Sequence, residues 1–194
     1  MGRGNYTGKA MYVSIDKATA VKMYDNVTVE WQKHLDDLKH QLQDAEGDEL
    51  MVISEKIEFM EESDMAVVVS PGQNEVDDLR NKGVEILPHR EKMNKEDLET
   101  RFKDPEDPFR IVFVCAMWMT GFDVPSCSTI YLDKPLRNHT LMQTIARANR
   151  VFEDKTNGII VDYVGVFRDL ERALAIYGGG NGEKEPIIKD KDEL

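Results

Sequence analysis

The chain has 194 residues, 41% hydrophobic and 32% charged, which suits a soluble globular protein with one full core and room for a subdomain. Its formal net charge of −12 excludes a generic basic coat for nucleic acid. No apolar run approaches the roughly 20 residues that span a bilayer, so no membrane-spanning helix is expected.

The opening MGRGNYTGKAM has no hydrophobic leader segment, so a cytoplasmic location is expected. Lys191-Asp192-Glu193-Leu194 has the form of an endoplasmic-reticulum retention signal, but without a leader it has no route to a receptor. The charged tail, residues 181–194, reads as a truncation boundary. Cys115 and Cys127 read as reduced thiols in or near a core. The four histidines, His34, His40, His89 and His139, show no zinc spacing, and no structural metal is expected.

Lys9–Ile15 reads as a first strand. Asp16 can cap the helix behind it, in which Ala20, Val21, Tyr24 and Val27 stand at helical spacing. Two periodic helices follow. Trp31, Leu35, Leu38, Leu42 and Ala45 step by four and three, and after a break at Gly47 the pattern resumes at Leu50, Ile53, Ile57 and Met60. Residues 28–64 hold 12 acidic and 3 basic side chains, so the other faces of these helices are acidic. An αα-hairpin over about 28–63 is expected, its outer surface either solvated or docking a partner.

Met65–Ser70 is a second apolar strand, ended by Pro71-Gly72. A short helix near Glu75–Asn81 stops at Gly83, and irregular chain is expected as far as Arg90. Asn94 is placed to cap a helix through Phe102, ended by Asp104-Pro105. Ile111–Cys115, Ser128–Asp133 and Gly158–Tyr163 are three further strands, followed by a helix over about Val166–Tyr177 and the release at Gly178-Gly179-Gly180. Continuous Val/Ile runs indicate strands covered on both faces of a mostly parallel sheet. The expectation is a single α/β domain over 1–180, helices on both faces, with an inserted acidic helical hairpin.

The chemistry is expected between Arg110 and Phe152, since functional loops of open parallel sheets gather at the carboxyl ends of strands. In Thr120-Gly121-Phe122-Asp123, the missing side chain of Gly121 permits close backbone approach to a ligand. Asp123 can accept hydrogen bonds from a sugar hydroxyl. Ordinary turns use the same residues. Gln143, Arg147 and Arg150 follow at intervals of four and three, so they share one helical face. Such a face suits bidentate phosphate binding, or else a solvated basic surface with salt bridges. Leu141, Ile145 and Ala148 can anchor the opposite side. Residues 133–155 hold 5 basic and 3 acidic side chains, so the acidic total leaves room for a local phosphate site.

No Gly-x-x-x-x-Gly-Lys-Ser/Thr loop occurs in the chain, nor a strand-end Asp-Glu pair suited to Mg²⁺. The two arginines can therefore act as arginine fingers only against a phosphate loop supplied from elsewhere.

Met119–Pro125 (MTGFDVP) resembles motif V, and Gln143–Arg150 (QTIARANR) motif VI, of superfamily-2 helicases and translocases. The longer string MWMTGFDVPSCSTIYLDKPLRNHTLMQTIARANRVF, with RFKDPEDPFRIVFV before it and GIIVDYVGVFRDLERALAIYG after it, is similar to the motor of type I restriction enzyme R subunits. KAMYVSIDKATAVKMYD resembles that family's motif IV segment. The resemblance covers Lys9–Asp25 and Arg101–Tyr177, and less clearly the hairpin and residues 64–100.

What it implies is a RecA-like, P-loop NTPase type fold: the second, C-terminal motor domain of an ATP-driven double-stranded DNA translocase. The phosphate loop would lie on a first RecA-like domain, beside a nuclease domain of the same full-length chain. ATP and Mg²⁺ would be bound mainly there. By motif matching, Arg147 and Arg150 would meet the γ-phosphate, Gln143 would help position them, and Gly121 and Asp123 would approach the nucleotide. Ser14 and Thr120 would face DNA. Specificity and methylation subunits are the implied partners, and the chain alone would be inactive. Two departures stand out: Ala146 where many superfamily-2 proteins carry Gly, and Ala116 where relatives often carry an acid. The alternatives are another superfamily-2 helicase or remodeler, and a non-catalytic α/β module whose acidic hairpin docks a protein.

Overall fold

Among the described residues, runs rich in β-branched and aromatic residues form five strands: β1 (Lys9–Ser14), β2 (Asp64–Val68), β3 (Phe109–Val114), β4 (Cys127–Asp133) and β5 (Ile159–Asp162). The computed structural model describes residues 8–118, 123–136, 140–141, 143–144 and 158–168. Contacts divide the chain into two units, Met1–Val164 and Gly165–Leu194. Of the second, residues 165–168 are described, and Val166 to Arg168 are helical, where the final helix was expected to begin.

Among the described residues the strands make one all-parallel sheet in the order β2-β3-β1-β4-β5. The fold is therefore α/β, as expected. Parallel strands need crossovers, and from β1 to β2 and from β2 to β3 helices supply them. They are α1 (Lys17–Leu42), α2 (Gly47–Glu62), α3 (Glu75–Asn81), α4 (Leu87–Lys95) and α5 (Leu98–Lys103). On one face Tyr12, Met65, Val67 and Phe113 pack against Ala20 and Val21 of α1, Leu79 of α3, and Ile86. The residues that alternate with them, Met11, Val13, Ala66, Val68, Val112, Val114, Ile130 and Leu132, are buried too. The inner strands are thus covered on both faces, which is why their sequences are continuous rather than alternating.

α1 starts where expected, because Asp16 Oδ1 accepts from the Thr19 amide at 2.8 Å. It does not break before Trp31 as the reading in two helices supposed. Tyr24, Val27, Trp31, Leu35 and Leu38 continue one 3–4 stripe, and 26 residues form a single rod of about 39 Å. Beyond the sheet the rod pairs with α2 around a second cluster of Leu35, Leu38, Ala45, Ile53, Ile57 and Met60. Trp31 Nε1 also donates to Met60 O at 3.1 Å. Gly47, with φ of 57°, makes the turn. The spacing of Leu50 places it on this apolar stripe, yet it is 42% exposed. It sits in the first turn of α2, ahead of the buried Ile53.

The segment expected to be irregular up to Arg90 contains the start of α4. Asn94 lies inside α4 and does not cap a helix; Asp97 caps the next one, its Oδ1 accepting from the Thr100 amide at 3.1 Å. α4 has no fully buried side chain, so it carries no apolar stripe to read. Polar ties hold it instead: Arg90 to Glu75 and to the carbonyls of Val69 and Ser70, and Lys92 to Asp64 at 2.5 Å.

Candidate functional site

Because every strand points the same way, the residues that follow β1, β2, β3, β4 and β5 emerge at one edge of the sheet. β1 lies between β3 and β4, with Ser14 in register with Asp133 and Val13 with Val114. The exits of β3 and β4 therefore flank that of β1, although about 100 and 120 residues separate them from it in sequence.

Three ties cross this edge. Tyr12 Oη donates to Asp133 Oδ2 at 3.0 Å, joining β1 to the end of β4. The Cys115 thiol, just beyond β3, donates to Ile15 O at 3.7 Å, just beyond β1. Lys134 Nζ, just beyond β4, donates to Cys115 O at 3.1 Å. Tyr12 also forms a ring cluster with Tyr131 and Tyr163, at centroid distances of 6.3 and 6.4 Å. Burial, and next the hydrogen bond to Asp133, push the Tyr12 hydroxyl well above the usual tyrosine range, and burial raises Tyr131 as well.

The exit of β2 is fixed from α4. Arg90 grips Glu75 through Nε and Nη2 at 2.9 and 3.0 Å while Nη1 donates to Val69 O at 3.0 Å. Lys17, at the start of α1, lies 3.7 Å from Glu75. The same end of α1 carries Asp16. Its carboxyl is held below the ordinary aspartate range, chiefly by the Thr19 amide with a smaller share from Lys82.

Just beyond β3 the chain returns towards the start of that strand. Trp118 adopts a left-handed φ of 64°, a conformation costing about 1–3 kcal/mol for a bulky residue. Its ring stacks on Phe102 of α5 at 5.7 Å, and Phe102 in turn meets Phe109 at the start of β3.

Of the residues expected to carry the site, Ser14, Asp123 and Gln143 are described; Thr120, Gly121, Arg147 and Arg150 lie outside the described residues. Ser14, expected to face DNA, has no exposed surface, and its Oγ has no hydrogen-bond partner among the described residues. Asp123 is exposed, ahead of the turn in which the Cys127 amide donates to Val124 O at 3.1 Å to enter β4. Gln143 is exposed on a helical turn whose Leu141 and Thr144 are buried. Thr144 Oγ1 donates to Thr140 O at 2.8 Å. Leu141 thus anchors the inner side of that turn, as its spacing indicated.

Residue-by-residue reading missed Lys134, Arg90 and the Tyr12–Asp133 pair. For Lys134 a signal existed, since it stands in the Tyr131–Pro135 string that carries much of the family resemblance. For the others only the sheet order brings the partners together. Among the described residues no group of three or more His, Cys, Asp or Glu is placed to hold a metal ion. No helix among them is long and apolar enough to cross a membrane.

Residues 8–165 match the family model for domain 3 of the type I restriction enzyme R subunit. The HindI endonuclease subunit of Haemophilus influenzae is 53% identical over 95 residues, covering 47% of this chain and 9% of that protein. The putative MjaIXP endonuclease subunit of Methanocaldococcus jannaschii is 37% identical over 174 residues, covering 89% of this chain and 13% of that protein. A second putative endonuclease subunit of that archaeon, MjaVIIP, is 46% identical over 80 residues, 41% of this chain and 7% of the relative. The chain thus spans about a tenth of the length of the curated relatives it matches. With the family model extending over most of its length, the chain belongs to the type I restriction enzyme R subunits, its residues 8–165 corresponding to their domain 3.

Proposed function

We propose that this domain is the second RecA-like motor lobe of an ATP-driven double-stranded DNA translocase, whose movement along DNA leads to cleavage by a nuclease domain of the same full-length subunit. Arg147 and Arg150 stabilise charge on the phosphoryl group during transfer, and Gln143 helps position them. Gly121 and Asp123 approach the nucleotide. The phosphate loop, which this sequence lacks, belongs to the first lobe, and ATP and Mg²⁺ are bound mainly there. ATP bound there supplies the energy of lobe closure, and this chain supplies the arginines that close upon it. Specificity and methylation subunits and duplex DNA complete the assembly.

The observation that best supports this reading is the phase of the turn at Gln143. That residue is exposed while Leu141 and Thr144 are buried, and Arg147 and Arg150 stand four and seven residues beyond it in the sequence, the spacing of one helical face. The test compares two preparations. The isolated 194-residue chain should hydrolyse no ATP. A full R subunit carrying this domain, assembled with its partner subunits, should be stimulated by duplex DNA and not by RNA. Stimulation by RNA would favour an RNA helicase instead.

A further inference from the structure

We infer that Lys134 is a positioning residue of the motor, coupling the connection that carries Gly121 and Asp123 to the one that carries Gln143, Arg147 and Arg150; this rests on the motor reading above. Lys134 is the first residue after β4, hence the root of the second connection. Its ammonium donates to the carbonyl of Cys115, the first residue after β3 and the root of the other. β3 and β4 are not neighbours, since β1 runs between them. The lysine side chain and its 3.1 Å hydrogen bond together therefore pass the end of β1 and close a gap of two strand spacings, about 9–10 Å. The Cys115 thiol donates in turn to Ile15 O at the exit of β1, so one residue ties all three exits into a row.

A long cationic side chain suits this task, because a carbonyl two strands away lies beyond the reach of a short one and a charged donor strengthens the bond. Pro135 behind it narrows the backbone freedom of the second connection at its root. Displacement of either connection is thereby felt by the other. Active-site groups misplaced by about 1 Å can cost roughly a hundredfold in rate.

The experiment uses a full R subunit carrying this domain, assembled with its partner subunits and supplied with ATP, Mg²⁺ and duplex DNA. Lys134→Met should lower kcat for ATP by roughly 10- to 100-fold. KM for ATP and the melting temperature should stay close to those of the unmodified enzyme. Lys134→Arg, which keeps a cationic donor of similar reach, should recover most of the rate. Unchanged turnover in Lys134→Met would overturn the assignment, as would a rate loss matched by lost stability or an Arg variant as slow as the Met one. Arg147→Ala is measured beside them. If it hydrolyses ATP normally, the motor reading fails; if it is inactive while Lys134→Met is normal, only the role of Lys134 fails.

Discussion

Tyr12 in the middle of β1 donates its hydroxyl to Asp133 at the end of β4, at 3.0 Å, and its ring lies 6.4 Å from that of Tyr163. The bond joins the central strand to the root of the second connection. Tyr12→Phe should cost about 1–2 kcal/mol, because a part-buried carboxylate loses its donor. The pH dependence follows from the raised tyrosine pKa. A group that holds its proton more tightly when folded stabilises the fold below the ordinary tyrosine pKa and loses that contribution as pH climbs above it. The unmodified chain should therefore weaken above about pH 10, and Tyr12→Phe should weaken less steeply there. Urea midpoints at pH 7 and above pH 10 read both effects.

Lys9 opens β1 at the opposite edge of the sheet and is fully buried. Its ammonium donates to Arg101 O at 3.0 Å and lies 5.4 Å from the centre of the Phe102 ring. Burial outweighs the attraction of Asp107 and lowers its pKa to about 8. The sign is opposite to that of Tyr12: an unfolded chain binds this proton more tightly, so the charge opposes folding below about pH 8 and ceases to do so as pH rises towards the free-lysine value. A shift of this size corresponds to about 3 kcal/mol, reduced by the lost hydrogen bond. Lys9→Met should thus stabilise the domain by about 1–3 kcal/mol at pH 7, and by little near pH 10. A gain independent of pH would contradict the assignment.

Arg101 joins three elements at that same edge. Its guanidinium meets Asp107 through Nε and Nη2, both at 3.1 Å, reaches Asp64 at the start of β2 at 3.0 Å, and pairs with Glu96 ahead of α5. For Asp107, burial alone would raise the carboxyl, but hydrogen bonds from the Arg101 side chain and the Phe109 amide overcome it and hold it below the ordinary range. Removing one partner from such a network commonly costs more than the net value of the pair. Arg101→Ala should destabilise by about 3 kcal/mol. The acid limb of the stability curve should also flatten, since the Asp107 contribution, present above the ordinary aspartate pKa and lost as pH falls through the depressed one, is missing from the variant, so the two chains converge towards acid pH. Thermal melts at pH 7 and at about pH 2–3, below the ordinary aspartate pKa, separate the two effects.

Legibility in the sequence followed the physics of each element. The strands were readable because double-sided burial demands unbroken apolar runs such as Met65–Val69. α1 was readable at its start from the Asp16 cap, and α3 matched its expected span. α4 was hidden because ion pairs and main-chain hydrogen bonds hold it, and these leave no periodicity. Pro88 moreover looks like a breaker, although at the first turn of a helix it is tolerated. Leu50 looked like core because its spacing from Ile53 is right, but the partner helix does not cover the first turn of α2. At the candidate site, the arginine face could be proposed from spacing alone. The row Ile15–Cys115–Lys134 could not, because it exists only through the strand order β3-β1-β4.

The most direct measurement is DNA-stimulated ATP turnover in a full R subunit bearing Arg147→Ala. Loss of an arginine finger should lower kcat by roughly 10³–10⁵ while ATP still binds to the other lobe. Turnover at the unmodified rate would contradict the account.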